Sequence, residues 1–110
     1  MSAYAQGSRK HSIGRLVLDA DRRRVTWESS NIKLTRIEFE IMHILCENYE
    51  RVVRKNALID SIWGEWDGDD HLVEVHISRL RRKLSKNTLD VSIRPVRGVG
   101  YKLIIDEPSQ

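Results

Sequence analysis

The segment from Val73 to Leu84 constrains this chain most, because winding it as an α-helix separates its side chains into two chemically opposite faces. One face, at about 100° per residue, is an apolar stripe that needs a core to cover it. The stripe consists of Val73, Ile77, Leu80 and Leu84. The opposite face consists of Val75, Ser78, Arg79, Arg82 and Lys86. A valine among arginines gains nothing from water but suits a surface that contacts a thymine methyl group. The segment therefore predicts a helix that packs on one side and faces nucleic acid on the other.

The charge of the chain is unevenly distributed. The 110 residues carry a formal net charge of +3, whereas residues 71–103 alone carry +6 and the remainder carries −3. A basic C-terminal third on an acidic body would orient the molecule toward a polyanion through an attraction that weakens with salt. Charge alone does not distinguish this interpretation from a merely solvated basic face.

A second basic run, Arg22-Arg23-Arg24, lies at the entrance of a predicted strand. Three adjacent arginines could form a nucleic-acid patch. Because Asp19 and Asp21 lie beside them, we interpret the run instead as a solvated edge that discourages strand pairing.

Composition predicts one soluble globular domain, since 40% of the residues are hydrophobic and 32% are charged. The lone cysteine, Cys46, lies among apolar residues, which predicts a small core residue and a reducing, cytoplasmic setting. No apolar run is long enough to cross a membrane, and the first residues lack a signal-peptide pattern.

The domain is expected to occupy residues 12–105. Residues 1–11 have no periodic pattern, so we expect a flexible arm or an added segment foreign to the domain, and residues 106–110 should form a tail.

Apolar alternation between turn-like clusters in residues 13–34 predicts a small antiparallel sheet. Thr35 to Glu38 form a capping box that should start a helix reaching about Asn48. A second helix is expected to end at Gly64. The two glycines of the segment Arg97-Gly98-Val99-Gly100 predict a hairpin tip between two last strands, with Arg97 free to reach outward.

Residues 65–70 (EWDGDD) are acidic and contain a tryptophan. The spacing does not fit an EF-hand loop, because the glycine falls between the first two aspartates and no glutamate stands at the twelfth position. We expect Asp69 and Asp70 to place negative charge at the start of the next helix. Trp66, with Asp67 beside it, either packs on the core or contacts a protein partner.

Two polar residues of the basic helix are assigned to structure rather than to recognition. Glu74 lies near the first turn, where negative charge is favourable, and His76 lies at the rim of the apolar stripe, where it should pack. His71 and His76 are separated by about 140° around a helix and cannot bind one metal as an i,i+4 pair could.

Five blocks of sequence together carry a resemblance to a known family. They are Leu34-Thr35 with Glu38-Phe39, Arg51-Val52-Val53 with Leu58, Trp63-Gly64, Val73 to Leu84, and Val96 to Tyr101. In this order they resemble the winged-helix effector domain of OmpR/PhoB-type response regulators over about residues 12–105. The resemblance implies an α+β winged helix-turn-helix fold with an N-terminal antiparallel four-stranded sheet, three helices and a C-terminal β-hairpin wing.

The resemblance also implies roles for side chains at matching positions. The third helix, about residues 72–86, should lie in the major groove of DNA, with the wing arginine in the adjacent minor groove. The side chains expected to face bases are Val75, Ser78, Arg79, Arg82 and Arg97. The residues expected to contact phosphates are Arg81, Lys83, Lys86, Gly98 and Tyr101. The family pattern is broken at His71, Leu72 and Pro95, which should remove phosphate contacts and interrupt the strand at Pro95.

The resulting hypothesis is a sequence-specific duplex-DNA-binding domain of a bacterial two-component transcription regulator, monomeric in solution and paired in tandem on DNA. The alternative is a protein-interaction winged helix that offers Trp66 and the acidic segment to RNA polymerase or another partner. No nucleophile–base pair, P-loop or metal-ligand spacing indicates an enzyme, a cofactor or a metal.

The family normally joins this domain to a phosphorylatable receiver domain that a sensor kinase serves. No receiver sequence is present in the 110 residues. We therefore expect a fragment of a longer chain or a protein that works without phosphorylation.

Overall fold

The computed structural model describes residues 9–64, 71–88 and 90–106. This part of the chain forms three helices and seven strands. In chain order they are β1 (Lys10–Ile13), β2 (Leu16–Asp19), β3 (Arg24–Trp27), β4 (Ser30–Ile32), α1 (Arg36–Glu47), β5 (Val53–Arg54), α2 (Lys55–Trp63), α3 (His71–Asn87), β6 (Val91–Val96) and β7 (Gly100–Ile105). The predicted order of sheet, three helices and terminal hairpin is confirmed.

The N-terminal sheet is antiparallel with the strand order β1-β2-β3-β4. Its inward residues alternate as a half-buried sheet requires, and they are Leu16, Leu18, Val25, Trp27 and Ile32. The sheet begins at Lys10, which pairs with Asp19, and His11 pairs with Leu18. The predicted boundary at residue 12 was therefore too late, because the first residues of this edge strand are polar and give no alternating pattern.

Helix α1 starts at the predicted capping box. The Glu38 backbone N–H donates to Thr35 Oγ1 at 3.2 Å, and the Thr35 N–H donates to Glu38 Oε1 at 2.9 Å. Cys46 in this helix is only 4% exposed, which confirms it as a core residue. This burial raises the pKa of its thiol to about 12. Helix α2 ends at Gly64, whose φ of 76° favours glycine.

The C-terminal hairpin has a third strand that was not predicted. β5 pairs with β7 in a sheet of order β5-β7-β6. Because β5 has only two residues, no periodic pattern in the sequence could predict it. Gly100 is required here, because a methyl group at this position would overlap the Val53 carbonyl oxygen.

The strand interruption predicted at Pro95 is wrong. β6 continues through Pro95, which pairs with Tyr101. Because β6 is an edge strand, a proline can be accommodated where its missing N–H would face away from the sheet.

The predicted apolar stripe of α3 lies in the core, where Val73, Ile77, Leu80 and Leu84 are fully buried. These side chains join one cluster with residues of both sheets and of the other helices. Because the apolar stripe is buried, the rotation of α3 about its own axis is fixed, and the opposite face points outward. None of the helices in the described ranges is long and apolar enough to cross a membrane.

Candidate nucleic-acid interface

The outward face of α3 brings four of the predicted base-facing residues together. Val75, Ser78, Arg79 and Arg82 line one depression of about 420 Å³, with His71 and Glu74 at its edge. Val75 is half-buried, whereas the other three of these four are exposed. A half-buried valine therefore lies beside two exposed arginines in this depression.

The exposed basic side chains of α3 are free to bind an outside anion. Arg79, Arg81, Arg82 and Lys86 are exposed and form no ion pair or hydrogen bond with the residues that the structure describes. Arg81 lies on another side of α3 from Arg79, where it lines a groove against β6. A 17-residue helix is about 25 Å long and 10–12 Å wide, which fits a major groove about 12 Å wide.

Lys83 differs from the other basic residues of α3. Its Nζ donates to Glu38 Oε1 at 2.6 Å, and the Glu38 side chain is only 1% exposed. Burial by itself raises the pKa of Glu38, but the hydrogen bonds from Lys83 and from the Thr35 N–H hold this pKa below its usual value. The ammonium group predicted to contact phosphate thus ties α3 to the start of α1.

The wing tip lies beside the first turn of α3. Arg97, Gly98 and Glu74 line one groove of about 430 Å³ together with the start of α2. Arg97 and Gly98 are exposed, and the turn closes through the Val99 N–H, which donates to the Val96 oxygen at 2.9 Å. Tyr101, another predicted phosphate contact, lines the same groove but is only 8% exposed.

Glu74 links α3 to the start of α2 next to this groove. Lys55 Nζ donates to Glu74 Oε2 at 2.9 Å, and His71 Nδ1 lies 3.4 Å from Glu74 Oε1. The Lys55 hydrogen bond and charge, followed by those of His71, lower the pKa of Glu74. Glu74 therefore has partners within the fold, as the structural role predicted for it requires, and these ion pairs come in addition to its place in the first turn of α3.

His76 is half-buried, with its ring centroid 6.0 Å from that of Trp63, as expected for a packing residue.

Arg36 was missed by sequence reasoning. It is exposed at the first position of α1 and lines a groove of about 510 Å³ with Arg79, Arg82 and Lys86. Only the packing of α1 against α3 makes it part of this surface.

The predicted partner residues Trp66, Asp67, Asp69 and Asp70 lie outside the described residues.

Comparisons with known proteins agree with this geometry. The heme response regulator HssR of Staphylococcus saprophyticus is 40% identical over 93 residues, which make up 84% of this chain and 42% of that protein. The chain thus spans less than half the length of this relative.

Two solved structures share the fold. The RstA DNA-binding domain of Klebsiella pneumoniae, in complex with the RstA box, has a TM-score of 0.75 and 30% identity, and the match covers 86% of this chain and 96% of that one. The DNA-binding domain of CpxR from E. coli has a TM-score of 0.75 and 27% identity, and the match covers 91% and 100% of the two chains.

The family described as "Transcriptional regulatory protein, C terminal" matches residues 29–103. It is a family of transcription regulators and not of enzymes. Because the match spans more than half of the chain, the protein belongs to this family, the effector domains of OmpR/PhoB-type response regulators.

Proposed function

We propose that this chain is a sequence-specific duplex-DNA-binding domain of a bacterial two-component transcription regulator. The observation that carries the proposal is the outward face of α3, where Arg79 and Arg82 are unpaired among the described residues and border the half-buried Val75. The RstA domain, which shares the fold, was solved in complex with the RstA box.

Recognition of bases is assigned to α3 and to the wing. Arg79 and Arg82 can donate two parallel hydrogen bonds to a guanine edge, Ser78 can bond to any base, and Val75 suits a thymine methyl group. Arg97 reaches from the wing toward the minor groove, where an arginine senses groove width.

Phosphate contacts supply most of the affinity but no sequence information. Exposure favours Arg81, Lys86 and the backbone N–H of Gly98 for this role. Lys83 and Tyr101 stay in the proposed set, but Lys83 must share its ammonium with Glu38, and Tyr101 has only a small part of its surface exposed to a ligand.

The parent protein is proposed to be a response regulator in which a receiver domain, phosphorylated by a sensor kinase, precedes this domain in the cytoplasm. The names of the relatives support this, as does the 42% of the HssR length that the chain covers. We expect the isolated domain to be a monomer that pairs head to tail on DNA.

A salt titration of duplex binding tests the main proposal. Log affinity for a random duplex should fall linearly with log salt, because each phosphate contact releases counterions. Selection from a random duplex pool should then enrich one motif, repeated at a fixed spacing. Binding that is absent at low salt, or a pool without enrichment, would favour a protein-interaction module that contacts RNA polymerase or another partner.

A further inference from the structure

A group of three metal-ligating side chains lies where the N-terminal sheet packs on α1, and none of the three lines the basic grooves of α3. His11 comes from β1, and His43 and Glu47 come from α1. One ligand atom from each residue lies within 4.8 Å of the other two. The imidazole centroids of His11 and His43 are 5.5 Å apart, and His43 Nε2 is 3.6 Å from Glu47 Oε2.

Both histidines hold a buried nitrogen atom without a hydrogen bond. The Nε2 atoms of His11 and His43 have no hydrogen-bond partner among the residues that the structure describes. Burying a polar atom unpaired is costly and rare, so two adjacent cases need a physical explanation. A cation bound between the two nitrogen atoms would satisfy both.

We propose that His11, His43 and Glu47 form a binding site for a divalent transition metal, with Zn²⁺ as the best-fitting ion. Two imidazoles and one carboxylate are a known set of three protein ligands for zinc, with water in the fourth position. His43 and Glu47 are four residues apart and share one face of α1, so they form a chelating pair. Mg²⁺ and Ca²⁺ fit less well, because they require mostly oxygen ligands.

The side chains need only a small rearrangement to bind an ion. Ligand atoms around a tetrahedral zinc ion are separated by about 3.4 Å. The His43–Glu47 pair, at 3.6 Å, is already close to that separation, and His11 must move inward. The Glu47 side chain is 50% exposed and that of His43 is 22% exposed, so an ion and its water ligand would enter from the Glu47 side, with a shift that uncovers the buried nitrogen atoms.

Sequence reasoning missed this site because His11 was assigned to the flexible arm. The strand β1 places it next to α1, and an ion there would join the edge strand of the sheet to the helix. Since the three ligands come together only in the folded chain, metal binding should stabilise the native state.

The test is a titration of the untagged, metal-stripped chain with Zn²⁺, followed by calorimetry, and with Co²⁺, followed by its visible absorption bands. We expect one ion per chain and a Tm that rises with the zinc concentration. Removing a metal ligand should lower the metal affinity at least as much as removing a hydrogen-bond partner of a ligand. H11Q and H43Q should therefore each lower the affinity for zinc about tenfold or more.

H71Q is the matched control, because His71 is an exposed histidine outside the cluster and its loss should leave the affinity unchanged. Circular dichroism of the metal-free variants establishes that they fold, and E47Q, which changes a half-exposed side chain, provides a ligand variant with little risk to the core. Stoichiometric binding that H11Q, H43Q and E47Q all retain, or no saturable binding by the parent chain, would overturn the proposal.

Discussion

Two runs of arginine in this chain look alike in sequence and differ in the structure. Arg22-Arg23-Arg24 spans the turn from β2 into β3, where Arg22 Nη1 lies 3.2 Å from Asp19 Oδ2 and Arg23 Nη2 lies 3.0 Å from Glu40 Oε2. The Arg23 guanidinium also lies 4.5 Å from the centroid of the Phe39 ring. On α3, by contrast, Arg79, Arg81 and Arg82 have no partner within the described ranges.

The comparison shows that the density of basic residues does not measure the charge available to a ligand. An arginine already bound to a carboxylate must exchange that partner for a phosphate, whereas an unpaired arginine gains the whole interaction. Arg22 and Arg23 are therefore held in contacts within the fold, whereas the α3 arginines are available for binding.

The largest effect should come from Arg79 and Arg82, the α3 arginines proposed to face bases. R79A and R82A should each cost about 1–3 kcal/mol on the preferred duplex and relax the specificity at one position. Fluorescence anisotropy with the selected duplex and with a random duplex measures both quantities. Equal losses on the two duplexes would contradict the assignment of either residue to a base.

Lys83 should affect folding more than DNA binding. K83M removes the ammonium from the buried Glu38 carboxylate and should lower the free energy of unfolding by about 1–3 kcal/mol at neutral pH. R81M removes the same charge from an exposed neighbour and should leave the stability nearly unchanged. Similar urea midpoints for K83M and R81M would show that the Lys83–Glu38 pair does not stabilise the fold.

The pH dependence of the same pair has a definite sign. Because the folded-state pKa of Glu38 is held below its ordinary value of 4.5, the stabilisation is present above that value and is lost as the pH falls through the lower folded-state pKa. Urea unfolding at several acidic pH values should show this loss in the parent chain and a smaller one in K83M. Identical pH profiles would contradict the assigned cause.

Arg81 should have a smaller effect that does not depend on sequence. R81A should weaken binding to specific and random duplexes alike and reduce the slope of log affinity against log salt by about 1. A loss confined to the selected duplex would mean that Arg81 contacts a base.

The smallest effect is expected in the turn. R23A removes a surface ion pair and a cation–π contact, so it should lower the free energy of unfolding by about 1 kcal/mol or less. Its affinity for DNA should match that of R24A, whose side chain is exposed. A loss of affinity in R23A that R24A does not share would assign Arg23 to the DNA surface.

Periodic patterns predicted most of the fold. The stripe from Val73 to Leu84 and the capping box at Thr35 depend on residues close in sequence, and both are confirmed. β5 and the start of β1 were missed, because two residues cannot show a period and a polar edge strand has no apolar alternation.

The candidate site was less accessible to sequence reasoning wherever a distant residue decides what a side chain does. Lys83 and Glu38 are separated by 45 residues, and only their contact shows that this lysine has a partner. Arg36 joins the basic surface solely because α1 packs on α3. The partners of Arg23 on α1 likewise follow from packing and not from the neighbouring aspartates.

The most direct test of the central claim compares two triple variants that remove the same charge. R79A/R81A/R82A and R22A/R23A/R24A each lose three arginines, so any general effect of net charge on DNA binding is matched. After circular dichroism shows that both fold, their affinities for the selected duplex are measured at one salt concentration. The α3 triple variant should lose specific binding while the turn triple variant keeps it, and equal losses in the two would contradict the claim that α3 carries recognition.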